Sequence, residues 1–66
     1  MSVEFLIDFR YCLDWSGKTR IIPRGAVGRV IRTRSNKGIV LYHHVEVEGE
    51  PTFVEALPNQ VKTVDL

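Results

Sequence analysis

The stretch RIIPRGAVGRVIRTRSNKG, residues 20–38, carries Arg20, Arg24, Arg29, Arg32, Arg34 and Lys37 and not one acid. Flexible cations on an exposed surface neutralise phosphates, so a run of this kind is the simplest sequence signature of a polyanion grip. With Lys18 the acid-free span reaches from Trp15 to Val45. The balancing charge sits outside it: Glu4, Asp8 and Asp14 before, and Glu46, Glu48, Glu50, Glu55 and Asp65 after. The net charge of +1 hides that asymmetry. Sequence-tolerant binding of a nucleic-acid strand also requires aromatic platforms. Tyr11, Trp15 and Tyr42 are available, but along the chain they are not interleaved with the arginines. The competing account of the same cations is cross-strand pairing with Glu46, Glu48 or Glu55, which would neutralise them. A hairpin closed by Arg34 and Lys37 sets Arg29 opposite residues 42–44, short of the glutamates, so the expected neutralisation is partial.

Other chemistry-bearing residues give less. His43 and His44 are adjacent, and adjacent strand residues point to opposite faces, so the two imidazoles do not easily share one ion. The plainer reading puts His43 at the barrel's end and His44 against Tyr42 or a cross-strand acid. Cys12 is the single cysteine, which leaves no intramolecular disulfide and no paired-cysteine zinc motif. Glu46, Glu48 and Glu50 alternate and are expected to line one face, where an acid/base pair or a cation site is conceivable and a solvated strand face is the plainer reading. Ser16, Ser35, Thr19 and Cys12 lack a local base or oxyanion motif. The expectation is no catalytic residue, no metal and no cofactor.

At 66 residues, 44% apolar and 26% charged, the chain has the composition of one small folded domain with a single core. The longest apolar runs, such as residues 39–42, fall far short of the ~20 residues of a membrane span. The start, MSVEFLIDF, lacks the basic and small-residue marks of a signal peptide. A cytoplasmic protein with no membrane association is expected.

The elements that must position these residues are strands. Val3, Phe5, Ile7 and Phe9 alternate with more polar neighbours, so residues 3–13 read as one strand with an apolar face. A loop over residues 14–18 precedes Arg20-Ile21-Ile22, and Pro23-Arg24-Gly25 reads as a turn. Residues 26–33 resume strand character, with Val27 and Val30 facing inward and Gly28 marking a bulge or a close backbone approach. Residues 34–38 form a polar hairpin loop. The next strand, residues 39–48, offers Ile39, Leu41, His43, Val45 and Val47 as its core face. Gly49-Glu50-Pro51 turns into a strand over residues 52–56, and Leu57-Pro58-Asn59-Gln60 into a short 3₁₀ turn before residues 61–64. No helix of useful length is predicted.

Short strands at turn spacings of about ten residues favour a closed barrel, which removes exposed edges. The order Leu6-Ile7-Asp8-Phe9, long loop, Pro23-Arg24-Gly25-Ala26-Val27-Gly28-Arg29-Val30-Ile31, hairpin, Leu57-Pro58-Asn59-Gln60-Val61-Lys62 resembles that of the Src homology 3-like small barrels. Gly25-Ala26-Val27-Gly28-Arg29-Val30 also resembles the glycine-valine rhythm of KOW-type barrels. The resemblance implies an all-β, five-stranded barrel. It does not bring a proline-peptide groove with it: Ile39 and Val40 stand where that groove's tryptophan belongs, and Gln60-Val61 follow Asn59 where a tyrosine belongs. The function expected first is a non-catalytic binding or accessory module that docks on a protein partner, or on its own copy, through Tyr11, Trp15 and Tyr42. Nucleic-acid binding by the basic hairpin, through Arg20, Arg24, Arg29, Arg32, Arg34 and Lys37, is the second reading. An oligomeric small-barrel enzyme is a minor third.

Overall fold

Two apolar alternations set the architecture. Val3 and Phe5 point one way from the first strand, Val45 and Val47 one way from the longest hairpin, and their burial against each other makes the core. The computed structural model describes residues 1–64. Its elements are β1 (Ser2–Phe5), β2 (Phe9–Cys12), β3 (Thr19–Ile22), β4 (Val27–Asn36), β5 (Ile39–Glu46), β6 (Val54–Ala56), a 3₁₀ turn (Pro58–Gln60) and β7 (Val61–Val64). The chain is all-β. A five-stranded antiparallel sheet runs in the order β6-β5-β4-β1-β7, and β2 pairs with β3 as a separate ribbon. The sheet is not closed: β6 and β7 end the hydrogen-bonded order. No helix among the described residues is long and apolar enough to cross a membrane.

The core gathers Val3, Phe5, Phe9, Ile22, Val45, Val54, Ala56 and Val61, with Tyr11, Ala26, Val30 and Val47 packed around it. Every strand except the outer part of the β4–β5 hairpin contributes. The 3₁₀ turn lies where the sequence places it; Gln60 closes it, its side-chain oxygen accepting from the Leu57 amide at 2.8 Å.

Four features depart from the sequence reading. Residues 3–13 are not one strand, because the chain breaks at Leu6, Ile7 and Asp8. The Leu6 amide donates to the Gln60 carbonyl, and Asp8 Oδ1 accepts from the Arg24 amide at 2.8 Å. The break lets Phe9 re-enter the core from the ribbon, its ring 5.4 Å from that of Phe5. Ile7, expected inside, is exposed. Of the proposed β5 core face Val45 is buried and His43 and Val47 are partly buried, whereas Ile39 and Leu41 are exposed. The reason is topological: β1 pairs with β4 only through residues 27–29, and β6 pairs with β5 only through residues 43–45. Beyond those limits the hairpin is a two-stranded arm with no third element to cover it.

The hairpin turn is also tighter than the predicted loop. Lys37 and Gly38 form it alone, with φ of 52° and 79°, the mirror-image turn that suits the right-handed twist of paired strands. Register therefore starts at Asn36 opposite Ile39, shifts at two irregularities (between Val30 and Arg32, and between Arg34 and Ser35), and ends with Arg29 opposite Glu46. Arg29 consequently does reach a glutamate.

Val27 is exposed, and the inward position beside it belongs to Gly28. Gly28 marks a close approach, as one of its two readings had it: a Cβ there would lie 2.5 Å from Val45 Cγ1 and 2.9 Å from the Glu46 carbonyl oxygen. The bulges sit further along the strand. Gly28→Ala should therefore overpack the junction of β1, β4 and β5 and cost about 1–3 kcal/mol. Urea unfolding should show a lower midpoint at unchanged m.

Candidate functional site

Antiparallel pairing of β2 with β3 sets Tyr11 directly opposite Arg20, on one face of the ribbon. Both reach the turn that follows β5, where Glu50 waits. The Tyr11 hydroxyl donates to Glu50 Oε1 at 2.6 Å, and Arg20 donates through Nε to Oε1 at 3.1 Å and through Nη2 to Oε2 at 3.4 Å. The Glu50 side chain is only 14% exposed, so these three charge-assisted bonds replace most of its water. Arg20 first, and then Tyr11, hold the Glu50 carboxyl below its ordinary 4.5. Burial, then the hydrogen bond to Glu50, pushes the Tyr11 phenol above its ordinary 10.0. Arg20 is thus committed to an internal partner and leaves the candidate polyanion set.

The remaining cations divide further. Arg29 meets Glu46 at 3.3 Å with both side chains largely in water, a pair that neutralises charge while adding little stability. Arg24 lies in the turn whose backbone is tied to Asp8. Arg32, Arg34 and Lys37 make no ion pair among the described residues, and all three are exposed. The expected row of Glu46, Glu48 and Glu50 does not act as one group, since Glu46 and Glu50 turn to separate arginines.

Cross-strand register then supplies what the linear sequence lacks. Arg32 lies opposite His44 and Arg34 opposite Tyr42, so the arginines alternate with rings across the hairpin rather than along it. Tyr42 and His44 stack at 5.2 Å with planes 10° apart, and His44 stacks on Phe53 at 4.9 Å and 14°. His44 Nε2 is buried without a hydrogen-bond partner, 3.8 Å from Glu55 Oε1. His43, on the opposite face, bonds through Nδ1 with Thr33 Oγ1 at 2.8 Å. Among the described residues no three histidine, cysteine or acidic side chains gather as a metal site would need.

A cleft of about 490 Å³ opens between the end of the ribbon and the approach to β6. Its walls are Phe9, Tyr11, Leu13, Trp15 and Phe53, and Asp14 and Glu55 are the charged residues lining it; no base does. Trp15 is 71% exposed, presented by a tight turn in which the Ser16 and Gly17 amides both donate to the Leu13 carbonyl. Of the three aromatics expected to dock a partner, Tyr11 and Trp15 meet in this cleft, and Tyr42 lies outside it on the arm.

In comparisons with protein-family models, curated proteins and solved structures, nothing matches the chain. Geometry alone therefore carries the functional reading. Phe53 is the site residue that the sequence reading passed over; Glu50 was read there as one of a row of carboxylates and not as a tether, whereas His44 lies against Tyr42 and near the cross-strand Glu55 as expected. The signal for Phe53 was the strand register, which brings residues nine apart, His44 and Phe53, into contact.

The tether has a pH signature. A carboxyl whose folded pKa is depressed adds stability above its unfolded value, and that stability is lost as pH falls through the folded value. Glu50→Gln should flatten the acid limb of the stability profile below the ordinary 4.5, as read by thermal melts across pH. Tyr11→Phe, which deletes one bond to a charged acceptor, should cost about 1.5 kcal/mol near neutral pH.

Proposed function

We propose that this protein is a non-catalytic docking module whose cleft, between the β2–β3 ribbon and the approach to β6, receives an extended segment of a protein partner carrying a basic side chain. One observation carries this reading: an exposed tryptophan and a half-exposed Phe53 flank a cleft charged only by Asp14 and Glu55. Aromatic walls supply contact area at low conformational cost, and a lysine or arginine entering between the two carboxylates would meet opposite charge without a competing base. Trp15 is the anchor because it is the largest apolar surface that folding leaves in water. Tyr11 is held by Glu50, so one wall of the cleft is rigid before any partner arrives.

The same proposal extends to the fold, which we read as an open variant of the Src homology 3-like barrel. Its support is the ribbon between the first two strands of the sheet, a β4 that pairs first with β1 and then with β5, and a 3₁₀ turn leading into a last strand that returns to β1. The groove differs from that family's proline-peptide groove in drawing on Phe53 and Glu55.

Selection of a random peptide library on the immobilised protein tests the reading. Enriched peptides should carry lysine or arginine, and their binding should move amide resonances of Trp15, Phe53 and Glu55. Trp15→Ala should weaken them by more than about tenfold, and Glu55→Gln by up to about fivefold. Failure to enrich any basic motif, or resonance changes confined to the arm, would sink it.

A further inference from the structure

We infer that the outer face of the β4–β5 arm binds single-stranded nucleic acid, with Arg32, Arg34 and Lys37 on the phosphates and Tyr42 stacking a base. This goes beyond the docking cleft. It shares only Phe53 and Glu55 with it, at the root of the ring stack.

Three observations converge on this face. The first is charge: these three cations have no acidic partner among the described residues, while Arg20 and Arg29 are both answered. The acids of the same face, Glu46 and Glu55, lie at the root of the arm, with Glu46 occupied by Arg29. The outer half of the face is left basic. The second is the aromatic ladder. Phe53, His44 and Tyr42 stack nearly parallel in that order from root to tip, and Tyr42 is the last ring. A base added beyond Tyr42 would continue a stack that already exists, flanked by Arg34 directly across the hairpin. Alternate residues of a strand recur about every 6.8 Å, on the scale of one nucleotide step of an extended strand, so Arg32 and Arg34 suit successive phosphates.

The third is the turn. Lys37 takes a φ of 52°, a region that costs an ordinary side chain roughly 1–2 kcal/mol and that asparagine or glycine occupies more easily. The arm's tip thus carries a cation at a position that conformational preference alone would give to asparagine or glycine. A single strand fits better than a duplex, whose bases are stacked and unavailable to Tyr42. It also fits better than an acidic peptide, which offers the cations charge but gives Tyr42 no ring to stack.

Fluorescence anisotropy with a short labelled oligothymidine tests this. Three phosphate contacts predict a log–log salt slope of about −2, a loss of about twentyfold between about 50 mM and about 200 mM salt. Arg32→Ser with Arg34→Ser should flatten the slope to about −0.7, and Tyr42→Leu should weaken binding about tenfold at constant slope. Arg29→Ser, at the ion-paired cation, should leave the slope unchanged. All of these side chains lie outside the core, and unchanged melting curves would verify that the variants fold. Trp15→Ala, which removes the cleft's anchor, should not alter oligothymidine binding, so this inference and the docking proposal fail separately. The inference is overturned by no binding at the lowest salt, by a slope indifferent to Arg32 and Arg34, by tighter binding of a duplex of the same length, or by polyglutamate competing as well as oligothymidine.

Discussion

Glu50 is the joint on which the molecule is assembled. The ribbon of β2 and β3 shares no backbone ladder with the five-stranded sheet, so beyond the short connections at its ends side chains hold the two together. Phe9 and Ile22 provide the apolar part of that junction, and the carboxylate of Glu50 provides the directional part by engaging both ribbon strands at once. In a domain this small the core is near the lower limit for independent folding, and a few charge-assisted bonds are a large fraction of the net stability. The choice of a turn residue for this task matters. Glu50 sits in the connection between β5 and β6, so the bond fixes the ribbon and the far wall of the cleft in one step.

The arm follows from a different constraint. Its two strands outrun their neighbours on both sides, and once they do, no residue in them can be buried however apolar it is. Ile31, Ile39, Val40 and Leu41 are exposed for that reason and not through any weakness of alternation. What the arm gains is register: a two-residue turn and two compensating irregularities bring cations and rings onto one face with fixed spacing. Cleft and arm thus use opposite strategies, the first placing acids beside aromatics and the second placing bases beside them. They meet at Phe53, whose ring belongs to both.

Much of the fold was legible in the residues, and the reasons for the rest are physical. Alternation in Val3 and Phe5, glycine and proline at the turns, and the Leu57-Pro58-Asn59-Gln60 turn identified strands and breaks because those signals are local. The break at Leu6-Ile7-Asp8 was hidden because its cause is distant, an amide satisfied by Gln60 and a carboxylate capping the Arg24 turn. The core face of β5 was overextended because apolar periodicity says which side chains share a face, not where the covering layer stops. The pairing of Arg29 with Glu46 was missed by placing the hairpin turn too early, an error that shifts every cross-strand partner. Of the expected docking aromatics, Tyr11 and Trp15 line one cleft, while Tyr42 lies apart on the arm, a separation that only the register of the hairpin reveals. The link between Arg20 and Glu50 spans thirty positions and leaves no trace in composition.

Where the arm leaves its neighbours, each of its strands has one unpaired edge, a row of free amides and carbonyls beside exposed isoleucine, valine and leucine. Such an edge is a template on which a second chain can add and a fibril can begin. Here the row is broken by two register irregularities and studded with Arg32, Arg34 and Lys37, whose mutual repulsion opposes a like strand approaching in register. The cations of the arm therefore act against self-association: without them the same edge would be an apolar surface on which copies of the chain accumulate.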